Sequence, residues 1–518
     1  MRTARIGLTA LALALPTFTA TAAAGPPPGR TAIALTDVLP AVAEAVPAPD
    51  AAFRLTPDTV ITASGAATAV AGSLAAAWRP ATGFALPVTE TGDRAIALVL
   101  EPGHPAEGYR LAIRAGGVEL AATRPAGLFA GVQTLRQLLP AEIEARSARH
   151  ARWVLPGGRI KDFPRYAYRG AMLDLARHFH EPAEIRAYID RISRFKINHL
   201  HLHLSDDQGW RIRIDSWPRL TAVGGAPGTG VGGAGGGFLT KDDYRELVRY
   251  AADRFVTVVP EIDMPGHVNA AQVAYPELTC DGVAPRPRTD MRVGYSSLCA
   301  DREVTYRFAA DVIRELAEMT PGPYLHVGGD EAMSTPHGAY LRFQRRVLPL
   351  VRAHGKIPVG WHEIAQSPAA AENDAVIQFW GRERNSPSVA AAGSRVVLSP
   401  ANRTYLDMEY DLLTPGGLDW AGAIEVRDAY DWDPGALLSD VPAERVLGVE
   451  APLWSETLRD LDDIEFLAFP RLVAIAELGW SPRSAHDWDS FRSRLGGYGP
   501  RWVRQGVRFH RSPEVRWS

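Results

Sequence analysis

Residues 199–210 read HLHLHLSDDQGW, and this short apolar run, followed at once by charged and aromatic residues, indicates the fold. From about Tyr166 onward, similar apolar runs alternate with stretches that suit helices, for example residues 182–195 and 241–254. The strand candidates are residues 171–174, 199–204, 256–261, 324–327, 357–360, 375–379, 395–398 and 446–449. Eight such strand–helix units over roughly 300 residues are typical of a (β/α)8 TIM barrel, an α/β fold with a closed parallel sheet.

An open, doubly wound sheet is the alternative fold for this alternation of strands and helices. The number of units argues against it, and so does the lack of a glycine-rich phosphate loop. The stretch from Gly224 to Gly237 is rich in glycine but lacks the order G-x-x-x-x-G-K-[ST], and no strand candidate leads directly into it. We therefore expect this stretch to be a flexible loop near the barrel mouth.

The chain ahead of the barrel is expected to form a smaller α+β domain over residues 38–165. Strand-like runs at residues 95–100 and 109–114 are combined with a helical run at 127–139. No cluster of catalytic residue types lies in this part, which favours a supporting domain. The predicted division is a signal peptide at 1–24, a linker at 25–37, the α+β domain at 38–165, and the barrel with a C-terminal tail at 166–518.

The first residues are typical of an export signal. Arg2 and Arg5 precede an apolar stretch at residues 6–15, and small residues at 21–24 form an A-x-A-like cleavage site. The apolar stretch is too short to span a bilayer as a helix, and no other segment is long and apolar enough to do so. We expect a secreted protein without a membrane span.

The chain has two cysteines, Cys280 and Cys299. An even pair in an exported protein usually forms a disulfide, and closing a loop of this size typically contributes about 3 kcal/mol. A metal site or a catalytic thiol is the alternative, but two isolated cysteines do not make a zinc site. We expect a disulfide that holds a loop near the barrel mouth.

Composition excludes several classes of protein. Of the 518 residues, 46% are hydrophobic and 22% are charged, which is typical of a soluble globular protein. The formal net charge is -3 with both signs mixed along the chain, so a basic face for nucleic acid is not expected. Repeats and long low-complexity tracts are lacking, which argues against solenoids and disordered scaffolds.

Charged and aromatic residues follow the strand candidates along most of the barrel. They are Asp174, Arg177 and His178; residues 205–210; Glu261, Asp263 and His267; residues 328–331; Trp361; Trp380; Tyr405 and Asp407; Trp454 and Glu456. Any one of them can be a helix cap or a core residue, but residues that follow barrel strands converge on one mouth. Carboxylates, aromatics and one arginine, with no obvious metal cluster, suit a sugar site.

The Asp330–Glu331 pair is the most informative of these features. Adjacent residues near a strand end point in different directions, and Gly328 and Gly329 allow the backbone to approach a ligand closely. Two neighbouring carboxylates also disfavour joint ionisation, which would keep one of them protonated as a general acid. A solvated acidic loop is the alternative, and the other strand ends argue against it.

The residues 326–331, HVGGDE, resemble the signature of glycoside hydrolase family 20, the β-N-acetylhexosaminidases. Further segments that resemble the family are DLARHF at 174–179, HLHLSDDQGW at 201–210, PEIDMPGH at 260–267, YLDM at 405–408 and LWSE at 453–456. The resemblance covers the whole barrel, extends to the preceding α+β unit, and is greatest to bacterial secreted members. Ser455 stands where the family often has glycine, a small change.

This resemblance implies a role for each site residue. Glu331 would be the general acid and then the general base, and Asp330 would orient the substrate acetamido group. Tyr405 would donate a hydrogen bond to the acetamido oxygen, while Asp206 and His267 would form a relay behind Glu331. The substrate-binding residues implied in this way are Arg177, Trp361, Trp380, Asp407, Trp420, Trp454 and Glu456.

The implied reaction uses the substrate's own acetamide as nucleophile, an established exception to the two-carboxylate scheme. It would remove terminal, non-reducing β-linked GlcNAc or GalNAc through an oxazolinium intermediate with retention of configuration. Carbohydrate is the only partner implied; no cofactor, metal, nucleic acid or obligate protein partner is expected.

Three other interpretations remain open to different degrees. A chitinase-type barrel would need a D-x-x-D-x-D-x-E strand, which the sequence lacks. A non-catalytic sugar-binding barrel would be expected to have lost Glu331, Asp330 or Tyr405, and all three are present. A specialised activity within the family, on lacto-N-biose or a sulfated hexosamine, is not excluded by the residues.

Overall fold

The computed structural model describes residues 33–233, 235–381, 389 and 393–518. The predicted signal peptide at 1–24 and most of the predicted linker at 25–37 lie outside these ranges. Leu35, near the end of that linker, is buried in the core of the first unit, so packing begins before residue 38. No helix in the described ranges has the length and apolar character needed to cross a membrane.

The first unit is built on a mixed seven-stranded sheet. Its strands and those of a small accompanying sheet are β1 (Glu44–Pro47), β2 (Phe53–Arg54), β3 (Val60–Thr62), β4 (Val88–Thr89), β5 (Ala95–Leu100), β6 (Tyr109–Arg114), β7 (Gly117–Ala122), β8 (Val154–Leu155) and β9 (Gly158–Asp162). The order in the large sheet is β1-β9-β6-β7-β5-β3-β4, while β2 and β8 pair separately. Both strands expected from the sequence, 95–100 and 109–114, are confirmed.

Two helices of this unit, Ala67–Thr82 and Pro125–Gln137, pack on the sheet. The second begins two residues before the predicted start at 127, because Pro125 occupies a first-turn position, where a missing N–H costs nothing. Apolar side chains such as Trp78, Leu128 and Leu135 fill the space between helices and sheet with no solvent exposure. The α+β character expected for this part is confirmed.

The second unit is a closed parallel barrel of eight strands. They are β10 (Tyr168–Asp174), β11 (His199–His203), β12 (Thr257–Glu261), β13 (Tyr324–His326), β14 (Ile357–Trp361), β15 (Val376–Phe379), β16 (Val396–Leu398) and β17 (Val446–Ala451). Pairing of β17 with β10 closes the sheet. Each strand coincides with one of the eight predicted runs, so the barrel is confirmed and the open sheet is wrong.

Helices surround the barrel, and several begin where the sequence indicates. Their bounds are Pro182–Ser193, Arg219–Gly224, Lys241–Ala252, Asn269–Ala274, Glu303–Met319, His337–Ala353, Pro368–Glu372, Ala401–Thr404, Val426–Tyr430, Leu461–Ala468, Arg471–Trp480 and Trp488–Gln505. Capping boxes precede the first and third of these helices, at Glu181 and Thr240. Such reciprocal bonds satisfy backbone N–H groups that a helix leaves free at its start.

The alternation in β11 explains how the barrel is filled. Leu200 and Leu202 belong to the apolar core shared with the surrounding helices, whereas His201 and His203 contact carboxylates of other barrel strands. Successive strand side chains point to opposite faces, so HLHLH directs leucines outward and imidazoles inward. The interior of this barrel is therefore strongly polar. In most TIM barrels, branched apolar residues fill the interior instead.

Polar and ionic contacts join the two units. The carboxylate of Asp162, at the end of β9, accepts hydrogen bonds from Lys196 Nζ at 2.9 Å and from Trp480 Nε1 at 3.0 Å. Arg501 donates to the carbonyl oxygen of Gln137 at 2.7 Å. The Trp480 ring itself belongs to the apolar core of the first unit, although its helix packs on the barrel.

Candidate active site

A cavity of about 490 Å³ opens at the carboxyl ends of the barrel strands. Eleven of the twelve site residues expected from the sequence line it: Arg177, Asp206, His267, Asp330, Glu331, Trp380, Tyr405, Asp407, Trp420, Trp454 and Glu456. The twelfth, Trp361, is fully buried and is not among the lining residues. Convergence of residues from many strand ends is what a parallel barrel produces at this face.

The loop that carries Asp330 and Glu331 is held in a shape that requires glycine. Gly328 has φ 67°, and a Cβ added there would lie 1.9 Å from the Asp263 carboxylate. Gly329, with φ 100°, donates its N–H to Asp263 Oδ1 at 2.9 Å. Glu331 itself has a positive φ of 41°, which costs energy in a residue with a side chain. The two carboxylates are therefore placed by a strained, tightly bonded turn.

Asp330 is buried beside a second carboxyl group, Asp263. Burial raises the pKa of both groups, and the charge of Asp330 raises the pKa of Asp263 further, well above its usual range. Two close buried carboxyls disfavour joint ionisation, and we assign the neutral form to Asp263, which leaves Asp330 ionised. Asp330 Oδ1 is buried and has no hydrogen-bond partner in the described part of the chain, so it can accept a bond from a ligand.

His267 lies between Asp206 on one side and the carboxylates of Asp330 and Glu331 on the other. Its Nδ1 is hydrogen-bonded to Asp206 Oδ1 at 3.0 Å, and its Nε2 is 3.6 Å from Glu331 Oε2 and 3.7 Å from Asp330 Oδ2. Burial alone would lower the pKa of His267, but the charges of Asp206 and Asp330 raise it well above its usual value. His267 therefore links Asp206 to the two carboxylates, and its role as a relay stays a prediction.

Arg177 lines the cavity among three carboxylates. Its guanidinium lies 2.8 Å from Asp206, 3.2 Å from Asp174 and 4.0 Å from Glu456. Among the described residues, Asp407 Oδ2 and Glu456 Oε2 are buried without a hydrogen-bond partner. Buried polar atoms are rarely left unsatisfied, so these two oxygens mark positions where ligand hydroxyl groups can donate.

Aromatic rings make up much of the remaining wall. Tyr405 and Trp380 each meet the edge of Trp420, at centroid distances of 5.7 and 6.2 Å, and Trp420 remains 53% exposed. Trp361 is tilted against Trp454 at 5.8 Å and donates its indole N–H to Glu261, so it supports the wall from within the barrel. Aromatic faces of this kind cover the apolar faces of a ring-shaped ligand.

Several functional neighbours were not identified from the sequence. Met291, Val293 and Leu418 also line the cavity, and Asp263, which the sequence placed at a strand end without a role, lies beside Asp330 with a raised pKa. Glu363 accepts a hydrogen bond from Trp380 Nε1 at 3.2 Å. The three apolar residues carry no chemical signature in the sequence. The signals that could have indicated them are the position of Met291 and Val293 between the two cysteines and the position of Leu418 after Asp407.

The predicted disulfide between Cys280 and Cys299 is confirmed, with a Cα–Cα distance of 4.9 Å. The loop it closes carries Met291 and Val293 to the cavity wall. Gln208 fixes the loop from the barrel side, because its Nε2 donates to the Asp290 carbonyl at 2.8 Å. The expected position near the barrel mouth is therefore confirmed.

The glycine-rich loop also lies at this mouth. Val231 donates its N–H to the carbonyl oxygen of Arg177, and Gly232 donates to that of Thr289, at 2.9 and 2.8 Å. Asp207, the neighbour of Asp206, accepts from Ser296 Oγ at 2.6 Å and from the Asn269 N–H at 2.9 Å. It therefore holds the disulfide loop, while its neighbour Asp206 faces the cavity.

The disulfide makes a simple chemical prediction. Thiol titration of the unfolded, unreduced protein should detect no free cysteine, and titration after reduction should detect two. Two free thiols before reduction would contradict the pairing. A Cys280→Ser, Cys299→Ser variant provides the control, since it should show none under either condition.

Three groups of side chains are close enough to share a metal ion, with ligand atoms within 4.8 Å of one another. They are His201, Glu261 and His326; Asp206, Asp207 and His267; and Asp263, His267 and Asp330. Each imidazole in these groups is also within about 3 Å of a carboxylate, a distance typical of a hydrogen bond. Of these contacts, the one between His267 Nδ1 and Asp206 Oδ1 is a hydrogen bond. The lack of a metal stays a prediction from the sequence.

A sugar-sized cavity with free carboxylate oxygens, indole walls and a buried acid pair, at the mouth of a parallel barrel, is typical of glycoside hydrolases. Comparison with protein families gives the same class. Residues 166–483 match the catalytic domain of glycosyl hydrolase family 20, and residues 35–163 match domain 2 of that family. The chain belongs to glycosyl hydrolase family 20.

Individual relatives are similar over most of the chain. A β-N-acetylhexosaminidase of Cellulomonas fimi is 45% identical over 414 residues, which cover 79% of this chain and 82% of that protein. A β-hexosaminidase of Porphyromonas gingivalis is 36% identical over 427 residues, or 78% of this chain and 54% of that protein. The structure is similar to that of a family 20 β-N-acetylhexosaminidase from Streptomyces coelicolor, with a TM-score of 0.91 and 52% identity, covering 94% of this chain and 99% of that one.

Proposed function

We propose that the protein is an exo-acting β-N-acetylhexosaminidase that removes terminal, non-reducing β-linked GlcNAc or GalNAc with the substrate acetamide as nucleophile. The observation that carries this proposal is the unpartnered, buried Oδ1 of Asp330 in a cavity that Tyr405 also lines. An ionised carboxylate there can accept the acetamide N–H and balance positive charge on the acetamide carbon. Such a group does not itself need to bond to the sugar.

Glu331 is suited to the proton transfers. Its side chain is 25% exposed at the cavity, whereas that of Asp330 is 11% exposed. In the first step Glu331 protonates the departing glycosidic oxygen while the acetamido oxygen attacks the anomeric carbon. In the second step Glu331 takes a proton from water, which opens the oxazolinium ring and returns the β configuration. A nucleophile already attached to the substrate has a high effective concentration.

His267 and Asp206 support both steps. With Nδ1 bonded to Asp206, the imidazole directs Nε2 toward the two carboxylates. A positive ring there stabilises Asp330 as an anion, and it also stabilises the negative charge that Glu331 gains when it gives up its proton. Preorganised charges of this kind need no rearrangement during the reaction.

Three charged residues that line the cavity support exo action. Arg177, Asp407 and Glu456 would bind hydroxyl groups of the terminal sugar, and hydroxyl groups held in this way cannot carry a further sugar. Early products from a chitin pentamer should therefore be GlcNAc and the tetramer. Early dimers and trimers in equal amounts would show that the cleft is open at both ends.

The activity is tested most directly with p-nitrophenyl β-glycosides of GlcNAc, GalNAc, glucose and lacto-N-biose. We expect release of p-nitrophenol from the GlcNAc and GalNAc substrates and almost none from the glucoside. Hydrolysis of lacto-N-biose alone would indicate a specialised member of the family, and binding without any turnover would indicate a sugar-binding barrel. The ratio of the first two rates would show which hexosamine is preferred.

We also propose that residues 1–24 direct export and that the mature protein acts outside the cell. The disulfide supports this, since such bonds persist in oxidising compartments. Residues 38–165 would be the supporting domain and residues 166–518 the catalytic one. Every described residue that lines the cavity belongs to the barrel part, which agrees with that division of roles.

A further inference from the structure

His203, at the end of β11, makes two ionic contacts in the barrel interior. Its Nδ1 is 2.5 Å from Glu261 Oε2, and its Nε2 is 2.9 Å from Asp206 Oδ2. The side chain is fully buried, and the edge of the Trp454 ring packs on it at 4.9 Å. No part of the proposed reaction described above uses this ring.

Both carboxylates that His203 touches already accept hydrogen bonds from other groups. Asp206 accepts the Asp207 backbone N–H at 2.6 Å and also faces Arg177 and His267. Glu261 accepts the Trp361 indole N–H at 2.9 Å. Since ionised carboxylates are acceptors only, each of the two ring nitrogens of His203 has to carry a proton.

The charges around the ring support this assignment. Burial alone would lower the pKa of His203, but Glu261, Asp206 and Asp174 together raise it to about 10. Asp206 stays ionised, because Arg177 and His267 hold its pKa well below the usual range despite burial. His203 is therefore a fixed cation between two fixed anions.

We infer that His203 is a positioning residue, whose doubly protonated ring fixes the carboxylate of Asp206 and thereby the orientation of His267 behind Glu331. Asp206 Oδ2 contacts both His203 and Arg177, while Oδ1 bonds His267. Without His203, Arg177 would be the remaining partner of Oδ2 among the described residues, and the carboxylate could rotate so that Oδ1 loses its bond to His267. This inference rests on the proposed function, because it assigns His203 to the acid step of Glu331.

The kinetic test compares His203→Gln with His201→Gln in the full chain. His201 lies on the same strand with the same burial and contacts Glu261 and Glu450, but it does not contact Asp206. For His203→Gln we expect kcat to fall by about 100-fold on chitobiose with KM little changed, because misplaced catalytic groups cost that much. The loss should nearly vanish for a dinitrophenyl glycoside, whose departure needs no acid. Any loss of kcat in His201→Gln should be the same for chitobiose and for the dinitrophenyl glycoside.

A second measurement does not depend on activity. Nitrogen-15 NMR of histidine-labelled wild-type protein should show both nitrogens of His203 protonated from pH 5 to pH 8. A single protonated nitrogen, or equal and substrate-independent losses in the two variants, would overturn the inference. If the wild type failed to hydrolyse N-acetylhexosaminides while the NMR result held, the proposed function would be wrong and the protonated bridge would stand.

Discussion

Replacement of Glu331 by glutamine is expected to lower kcat/KM on chitobiose by about 10²–10⁴-fold, the usual contribution of a general acid. Glutamine keeps the shape of the side chain but has no proton to give to the leaving oxygen. The loss should be much smaller on a dinitrophenyl glycoside, because dinitrophenolate departs without protonation. Steady-state rates over a series of aryl leaving groups would show this as a steeper dependence on leaving-group pKa.

The matched control is Glu303→Gln, a change of the same kind at a side chain that is 77% exposed on the outside of the barrel. The Glu303→Gln variant should hydrolyse chitobiose and the dinitrophenyl glycoside at rates close to those of the wild type. An equal loss of Glu331→Gln activity on good and poor leaving groups would contradict the assignment of Glu331 as the acid. It would point instead to a general disturbance of the strained turn that carries it.

Replacement of Asp330 by asparagine is expected to lower kcat by about 10²–10³-fold, the cost of losing one preorganised electrostatic group. Asparagine can still bond the acetamide, but it brings no negative charge to the oxazolinium-like transition state. Burial raises the pKa of Asp330, so its charge is lost at a higher pH than for an exposed aspartate. The wild-type rate should therefore fall toward acidic pH, and the variant should lose that dependence.

Asp263→Asn is the informative comparison for Asp330→Asn. Because the pKa of Asp263 is raised well above its usual range, an amide resembles its neutral state, and the loss of rate should be much smaller. Mass spectrometry should detect no covalent sugar adduct on wild type or variant, and a thiazoline mimic of the cyclised intermediate should inhibit the wild type strongly. A fluorosugar trapped on either carboxylate would restore an ordinary two-carboxylate mechanism.

The barrel could be predicted from the sequence because its strands are short apolar runs with charged residues at their carboxyl ends. The run at 199–204 contains strand β11. Residues 326–331 contain the last residue of strand β13 and the loop that follows it. Strand ends differ by one to a few residues, since hydrogen bonding to neighbours sets them and periodicity does not. The start of the first unit was harder, because Leu35 lies in a segment, residues 33–43, that forms neither a helix nor a strand and so has no periodic pattern.

The contacts beneath the site could not be predicted in the same way. The sequence shows His203, Glu261 and Asp263 as single polar residues at strand ends, and their pairing depends on which strands become neighbours in the closed sheet. The raised pKa values of Asp263 and Asp330 likewise depend on burial that only the folded chain provides. Trp361 was expected to wall the pocket, but its bond to Glu261 keeps it inside the barrel.

The placement of Trp480 bears on how the molecule unfolds. Its indole fills the core of the first unit, while the helix that carries it, Arg471–Trp480, packs against β10 and β17 of the barrel. Unfolding of either unit alone would expose this ring to solvent, and it would also expose the buried ion pair between Asp162 and Lys196. The two units are thus expected to denature in one cooperative transition. In a truncated chain that lacks the first unit, the barrel is expected to be less stable than in the full chain.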